Sequence, residues 1–190
     1  MKKDIILAGV GGQGILTIAT VIGQAAVSSN MFLKQAEVHG MSQRGGDVQS
    51  HLRISDQEIF SDLIPMGQAD LILSVEPMES LRYLPYLNEN GWLIANATPF
   101  VNIPNYPEKE EVYNKIKTYK NHVLIDADAI AKEIGSARSM NMVILGAAVK
   151  TLGFSLEQIE NSIKEIFGKK GDAIVEANIK ALRAGFEAGK

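Results

Sequence analysis

Short continuous apolar runs recur along the chain, at Asp4 to Ala8, Asp70 to Val75, Trp92 to Asn96 and Val123 to Ile125. Runs of this length without alternation predict strands covered on both faces of a parallel sheet. Between them the spacing turns helical. Gln13 to Ser28 is uncharged, with apolar residues around most of its circumference, the pattern of a helix buried on several sides. Pro77 suits a first helical position, Leu81, Leu84 and Leu87 follow at helical spacing, and Asn90-Gly91 predicts a turn into the next strand.

One segment alternates instead. Val48, Ser50, Leu52 and Ile54 share one face while Asp47, Gln49, His51 and Arg53 share the other, which predicts a half-exposed strand. Its nearness to the extended segment Phe32 to Val38 predicts a hairpin-like antiparallel pair. The last third reads as helical. Ser155 with Gln158 forms a capping-box pattern ahead of Ile159, Ile163 and Ile166, and Ile174, Ala177, Ala181, Leu182 and Phe186 mark a final amphipathic helix. Thr98 to Glu111, with three prolines and two asparagines and no periodicity, predicts a connecting segment too short to separate two domains. The expected fold class is α/β: a Rossmann-like open sheet, mostly parallel with an antiparallel hairpin, and a helical carboxyl-terminal third. The expected organisation is a single domain over 1–190.

Composition narrows the chemistry. The chain has 190 residues, 46% of them apolar, and no cysteine, so it needs no disulfide or structural metal for a core and can supply no thiolate to zinc, to an iron–sulfur cluster or to catalysis. With 19 basic and 22 acidic side chains the net charge is −3, which gives no footprint for nucleic acid. Lys2 and Lys3 ahead of an uncharged stretch from Ile5 to Leu33 imitate an export signal or membrane anchor. Asp4, the polar Gln13, Thr17, Thr20 and Gln24, and four glycines between Gly9 and Gly14 divide that stretch into strand, turn and helix. The expectation is a cytoplasmic protein that neither enters a membrane nor binds nucleic acid.

Gly9-Val10-Gly11-Gly12-Gln13-Gly14 follows a strand and opens a helix, the context in which a G-x-G-x-x-G motif carries meaning. Glycines there permit a tight turn and let backbone N–H groups at the positive helix end approach an anion. Glu37 lies about where such a fold places its ribose-binding acid, so a nicotinamide or flavin reductase is one reading. The glycine-rich segment and alternating strand after Glu37 depart from that fold, and a purely packing role for the glycines is another. A nucleotide-hydrolase phosphate loop is excluded, because Ile15 stands where its lysine belongs.

The densest polar cluster runs from Glu37 to Asp47 and holds His39, Ser42, Gln43, Arg44, Gly45 and Gly46; Arg44 between glycines suits a bidentate grip on a carboxylate or phosphate. An ordinary polar surface loop is the plainer reading. Glu37, His39 and His51 lack the spacing of a metal site, no G-x-S-x-G occurs, and neither a catalytic nor a metal-binding residue is expected on this chain. His122 reads as a strand-end residue. Glu76 has one distinction: it follows a strand's carboxyl end, where open parallel sheets place their ligand crevices.

Three segments occur together in order: Gly-Val-Gly-Gly-Gln-Gly at 9–14, Glu-Val-His-Gly-Met-Ser-Gln-Arg-Gly-Gly at 37–46 and Ala-Asp-Leu-Ile-Leu-Ser-Val-Glu-Pro at 69–77. In these the chain resembles the small subunit of 2-oxoacid:ferredoxin oxidoreductases, and most of all the indolepyruvate type, whose beta subunit is equivalent to the gamma subunit of pyruvate and 2-oxoglutarate relatives. The resemblance implies a complex that oxidatively decarboxylates a 2-oxoacid on thiamine diphosphate with magnesium, reduces ferredoxin through iron–sulfur clusters and releases an acyl-coenzyme A. It implies no cofactor on this chain and a large thiamine- and cluster-bearing partner subunit; separately, the uncharged helix and an exposed partner surface leave a homodimer open to the isolated chain. Toward coenzyme A or the partner's active-site mouth, the residues expected to face the ligand are Gly9, Gly11, Gly12, Gln13 and Gly14 with Ser42, Gln43, Arg44, Gly45 and Gly46. A stand-alone NAD(P)- or flavin-binding reductase and a regulatory binding module are the competing readings. Which 2-oxoacid is handled is not legible, because its side chain would meet mainly the partner.

Overall fold

The computed structural model describes residues 1–39 and 45–190; the expectations placed on Ser42, Gln43 and Arg44 lie outside the described residues. The chain runs β1 (Lys2–Val10), α1 (Ile15–Ser28), β2 (Phe32–His39), β3 (Asp47–Ser55), β4 (Ala69–Ser74), α2 (Pro77–Arg82), β5 (Leu87–Asn96), α3 (Lys109–Lys117), β6 (His122–Ile125), α4 (Ala127–Glu133), α5 (Met140–Leu152), α6 (Leu156–Phe167) and α7 (Asp172–Ala188). The strands form one sheet in the order β2-β3-β1-β4-β5-β6. β1, β4, β5 and β6 are parallel neighbours, and β3 runs antiparallel to both β1 and β2.

The continuous apolar runs are buried because the sheet is covered on both sides. On one face Ile5, Leu7, Leu52, Leu71, Leu73 and Ile94 meet α1, α4 and α5, with α6 and α7 adding an outer layer through Ile159, Ile163 and Leu182. On the other, Ile6, Ala8, Ile72, Leu93 and Ala95 meet Val112 and Ile116 of α3 and Tyr83 just beyond α2. Successive strand residues alternate between these two cores, so neither face needs polar positions. The capping box at Ser155 forms as the sequence predicts: its hydroxyl accepts the Gln158 N–H while the Gln158 carboxamide accepts the Ser155 N–H.

Three local expectations are corrected. The helix begun by Pro77 stops at Arg82, and Leu84 to Tyr86 form a tighter turn, because Pro85 has no N–H to donate and disfavours helical backbone at Leu84. Asn90-Gly91 is not a turn before a strand: β5 already begins at Leu87, and Gly91 sits in a register shift against β4, where a Cβ would come within 2.9 Å of the Ala69 carbonyl oxygen. The polar face of β3 is not open along its length. His51 is only 4% exposed, with its Nδ1 accepting the Ile64 N–H at 2.9 Å and the Tyr86 ring packed edge-on against it.

Candidate ligand crevice at the carboxyl ends of the strands

β1 and β4 are parallel neighbours whose following helices cover opposite faces of the sheet, α1 on one side and α2 on the other. This is the switch point where open α/β sheets hold ligands. The glycine motif shapes one side of it. A Cβ on Gly9 would lie 2.3 Å from Val75 Cγ2, so only glycine lets the end of β1 draw this close to the end of β4. Gly12 and Gly14 take φ of +99° and +83°, left-handed backbone that turns the chain from strand to helix within four residues. The loop is tied internally, since the Val10 N–H donates to Gln13 Oε1 at 2.8 Å and the Gln13 N–H returns to the Val10 carbonyl at 3.2 Å.

Two further parts of the chain close on this loop. Asn141, in the first turn of α5, donates from Nδ2 to the Gly14 carbonyl at 3.2 Å, and a Cβ on Gly14 would overlap that amide. The Gly11 N–H donates to the Gly46 carbonyl at 2.8 Å and the Gly45 N–H to the Gly11 carbonyl at 3.4 Å. The two glycine motifs, over 30 residues apart in sequence, are therefore one piece of backbone in space. Beside them opens a crevice of about 390 Å³ lined by Val10, Gly11, Gly12, Gly14, Ile15, Leu16, Glu37 and Val48.

The crevice is lined by backbone of the glycine loop and by Ile15 and Leu16 in the first turn of α1, which carries no acidic residue, with the Glu37 carboxylate as the one acidic group among the described lining residues. Such a helix start favours an anion. Of the sequence-predicted residues, Gly9 and Gln13 shape the loop internally, while Gly11, Gly12 and Gly14 line the opening and Gly45 and Gly46 brace it. Glu37 also reaches the crevice wall, but from β2. In a dinucleotide fold the ribose-binding acid ends the strand next to β1; here β3 is inserted between them, which moves Glu37 a further ~4.8 Å aside. Glu37 and His51 lie on opposite faces of the sheet, since Glu37 pairs with Ser50, so they do not converge on a metal. Among the described residues no three histidine or carboxylate side chains gather closely enough to hold an ion.

The ends of the other parallel strands carry residues the motifs did not announce. Asn96, fully buried at the end of β5, donates to the Val75 carbonyl and to Asp128, and accepts the N–H groups of Thr98 and Ala127. Glu76 is equally buried after β4; it caps α2 by accepting the Glu79 N–H at 2.8 Å and also accepts from the Phe100 N–H at 3.2 Å and the Tyr106 hydroxyl. Burial pushes the Glu76 carboxyl above the usual carboxylate range, against the pull of its hydrogen bonds; burial and the adjoining carboxylate push the Tyr106 phenol up. Only the position of Glu76 at a strand end signalled it. Tyr106 and Asn102 sit in the aperiodic segment after β5, where nothing in the sequence marks a partner.

Residues 4–188 match the pyruvate ferredoxin/flavodoxin oxidoreductase family. The chain belongs to that family. It is 36% identical over 195 residues to the indolepyruvate oxidoreductase subunit IorB of Archaeoglobus fulgidus, covering 98% of this chain and 94% of that one. It is 31% identical over 189 residues to the pyruvate/ketoisovalerate oxidoreductases common subunit gamma of Pyrococcus abyssi, covering 97% and 95%. Its fold resembles the crystal structure of the pyruvate oxidoreductase subunit PORC of Thermotoga maritima, with a TM-score of 0.74 at 25% identity over 98% of this chain and 96% of that chain. As a family member it is a small subunit of 2-oxoacid:ferredoxin oxidoreductase type, and the inserted β3 with the displaced Glu37 is the geometric reason the dinucleotide-reductase reading is not favoured.

Proposed function

We propose that this chain, as one gamma-type domain over 1–190, is the small subunit of a 2-oxoacid:ferredoxin oxidoreductase acting on indolepyruvate or a related aryl-pyruvate. The complex converts the 2-oxoacid and coenzyme A to acyl-coenzyme A and carbon dioxide while reducing ferredoxin. The observation that carries the reading is the end-to-end match to the indolepyruvate subunit IorB, at higher identity than to the pyruvate/ketoisovalerate gamma subunit.

The donor set assigns the redox groups elsewhere. With no cysteine the chain offers nothing to ligate an iron–sulfur cluster, and the sequence holds no Gly-Asp-Gly segment with a following asparagine of the kind that binds thiamine diphosphate and magnesium. Those groups belong to a large partner subunit, and ferredoxin meets the complex through it. What this chain's residues fit is the phosphate-bearing part of coenzyme A or the partner's active-site mouth: glycines that remove side chains from the opening, N–H groups at the start of α1, and Ser42, Gln43 and Arg44 in the connection from β2 to β3. Ile5 to Ser28 folds into β1, the glycine turn and α1 within the core, so this stretch is structural and does not itself act as an export signal or anchor, in keeping with the cytoplasmic reading.

Reconstitution tests the reading. The purified chain alone is expected to show no visible cofactor absorbance and no turnover with NAD(P), and to restore aryl-pyruvate- and coenzyme A-dependent reduction of ferredoxin when mixed with the large subunit. Turnover by the isolated chain, or full activity of the large subunit without it, would overturn the assignment. Arg44→Ala in the complex is expected to weaken coenzyme A or partner affinity by roughly tenfold, the scale of one charge-assisted contact; no change in either discards the role given to that loop.

A further inference from the structure

Glu76 is buried to 0% exposure yet takes no part in the function proposed above. A carboxylate in that position is costly unless its oxygens are satisfied, so what satisfies them is informative. Oε2 caps α2. Oε1 accepts from the Phe100 N–H and the Tyr106 hydroxyl, both in the segment 98–107 between β5 and α3, which has no regular structure.

That segment is not held by its own apolar side chains. Phe100, Val101 and Ile103 are 43%, 68% and 37% exposed. It is fixed at its start, where the Ala97 N–H donates to the Ile125 carbonyl and Tyr113 donates to the Ala97 carbonyl, and at its middle by Glu76. From there it reaches back to the crevice: Asn102 donates from Nδ2 to the Gly45 carbonyl at 2.7 Å, and Gly45 and Gly46 are bonded to Gly11. Hydrogen bonds at Phe100 and at Asn102, joined by the two peptide units between them, thus link the buried carboxylate to the glycine loop.

We propose that Glu76 is a positioning residue that holds 98–107 as a strap across the carboxyl ends of the strands, and that the strap, through Asn102, fixes the Gly45-Gly46 backbone against Gly11 at the mouth of the crevice. The strap acts by preorganisation: backbone that must present N–H groups to an anion binds it more weakly if it has to be ordered first. The inference rests on the subunit reading for its consequence in the complex and on this chain alone for the linkage.

Two experiments separate those parts. In the full isolated chain, hydrogen exchange is followed over 98–107 and over 45–48. Tyr106→Phe leaves the α2 cap intact and is expected to speed exchange in both segments by about tenfold, whereas Asn102→Ala speeds it at 45–48 and spares the amide of Phe100. Unchanged exchange at 45–48 in Tyr106→Phe overturns the linkage. In the reconstituted complex both variants are expected to raise KM for coenzyme A about tenfold with kcat held. A merely structural role would instead lower the amount of active complex without moving KM, and an unmoved KM in a variant whose exchange has risen overturns the positioning role. Failure of the wild-type chain to restore turnover counts against the subunit reading, and the exchange experiment still decides the linkage.

Discussion

His51 shows how a residue's chemistry is set by neighbours that its own strand does not announce. Alternation along β3 gives it to the solvent side, but Ile64 and Tyr86 arrive from later in the chain and cover it. Burial holds its imidazole below the ordinary value of 6.5, with Arg53 adding to that effect and Asp62 opposing it. Protons then bind the unfolded chain in preference, so the stability His51 contributes is complete above the ordinary value and is lost as pH falls through the lowered one. Glu76 has the opposite sign: its raised value gives a contribution complete at low pH and lost as pH rises through it. His51→Asn keeps an acceptor for the Ile64 N–H and removes the titration. Its urea midpoint is expected to fall less steeply than that of the parent chain between about pH 7 and pH 5, with the Glu76 contribution common to both. Parallel slopes would show that His51 is not held neutral.

Among the elements, the tightest meeting is α5 on α7. A Cβ on Gly185 would lie 1.8 Å from the Val143 carbonyl oxygen, and one on Gly146 would lie 2.0 Å from that of Leu182, so the two backbones touch where both helices carry glycine. Helix propensity alone would disfavour both residues. Gly185→Ala is expected to cost about 3 kcal/mol in urea unfolding, because backbone and not a flexible side chain must give way. Gly168→Ala, with nothing within 4 Å of the added carbon and ordinary helical backbone, serves as its control and is expected to stay within about 0.5 kcal/mol of the parent chain. The strands and the capped α6 were legible from periodicity and caps. The length of α2 and the bulge at Gly91 were not: Leu84 and Leu87 keep helical spacing although one lies in a tighter turn and the other in β5.

At the scale of the molecule, the sheet gathers at one end the carboxyl termini of β1, β4, β5 and β6 and gives the glycine loop its brace, and a chain without cysteine offers no thiolate to an iron–sulfur cluster. Its stability is expected to depend on the large subunit by mass action. With the partner at about 100 times its Kd, the unfolding free energy of this chain should rise by ~2.7 kcal/mol, read as a higher Tm in calorimetry of the mixture. An unmoved transition would mean that the two do not associate.

Sequence by itself determined the parallel core strands, the β2–β3 hairpin, the glycine turn into α1, the lack of thiolate chemistry and the family, because each rests on local periodicity, on local backbone requirements or on residue types present in order. Tertiary structure alone decided that the motifs at 9–14 and 45–46 become one braced loop, that β3 stands between β1 and Glu37, and that Glu76 reaches Phe100 and Tyr106. Those contacts join residues 24 to more than 30 positions apart, and their partners are backbone carbonyls, amides and one phenol whose identity no spacing rule encodes.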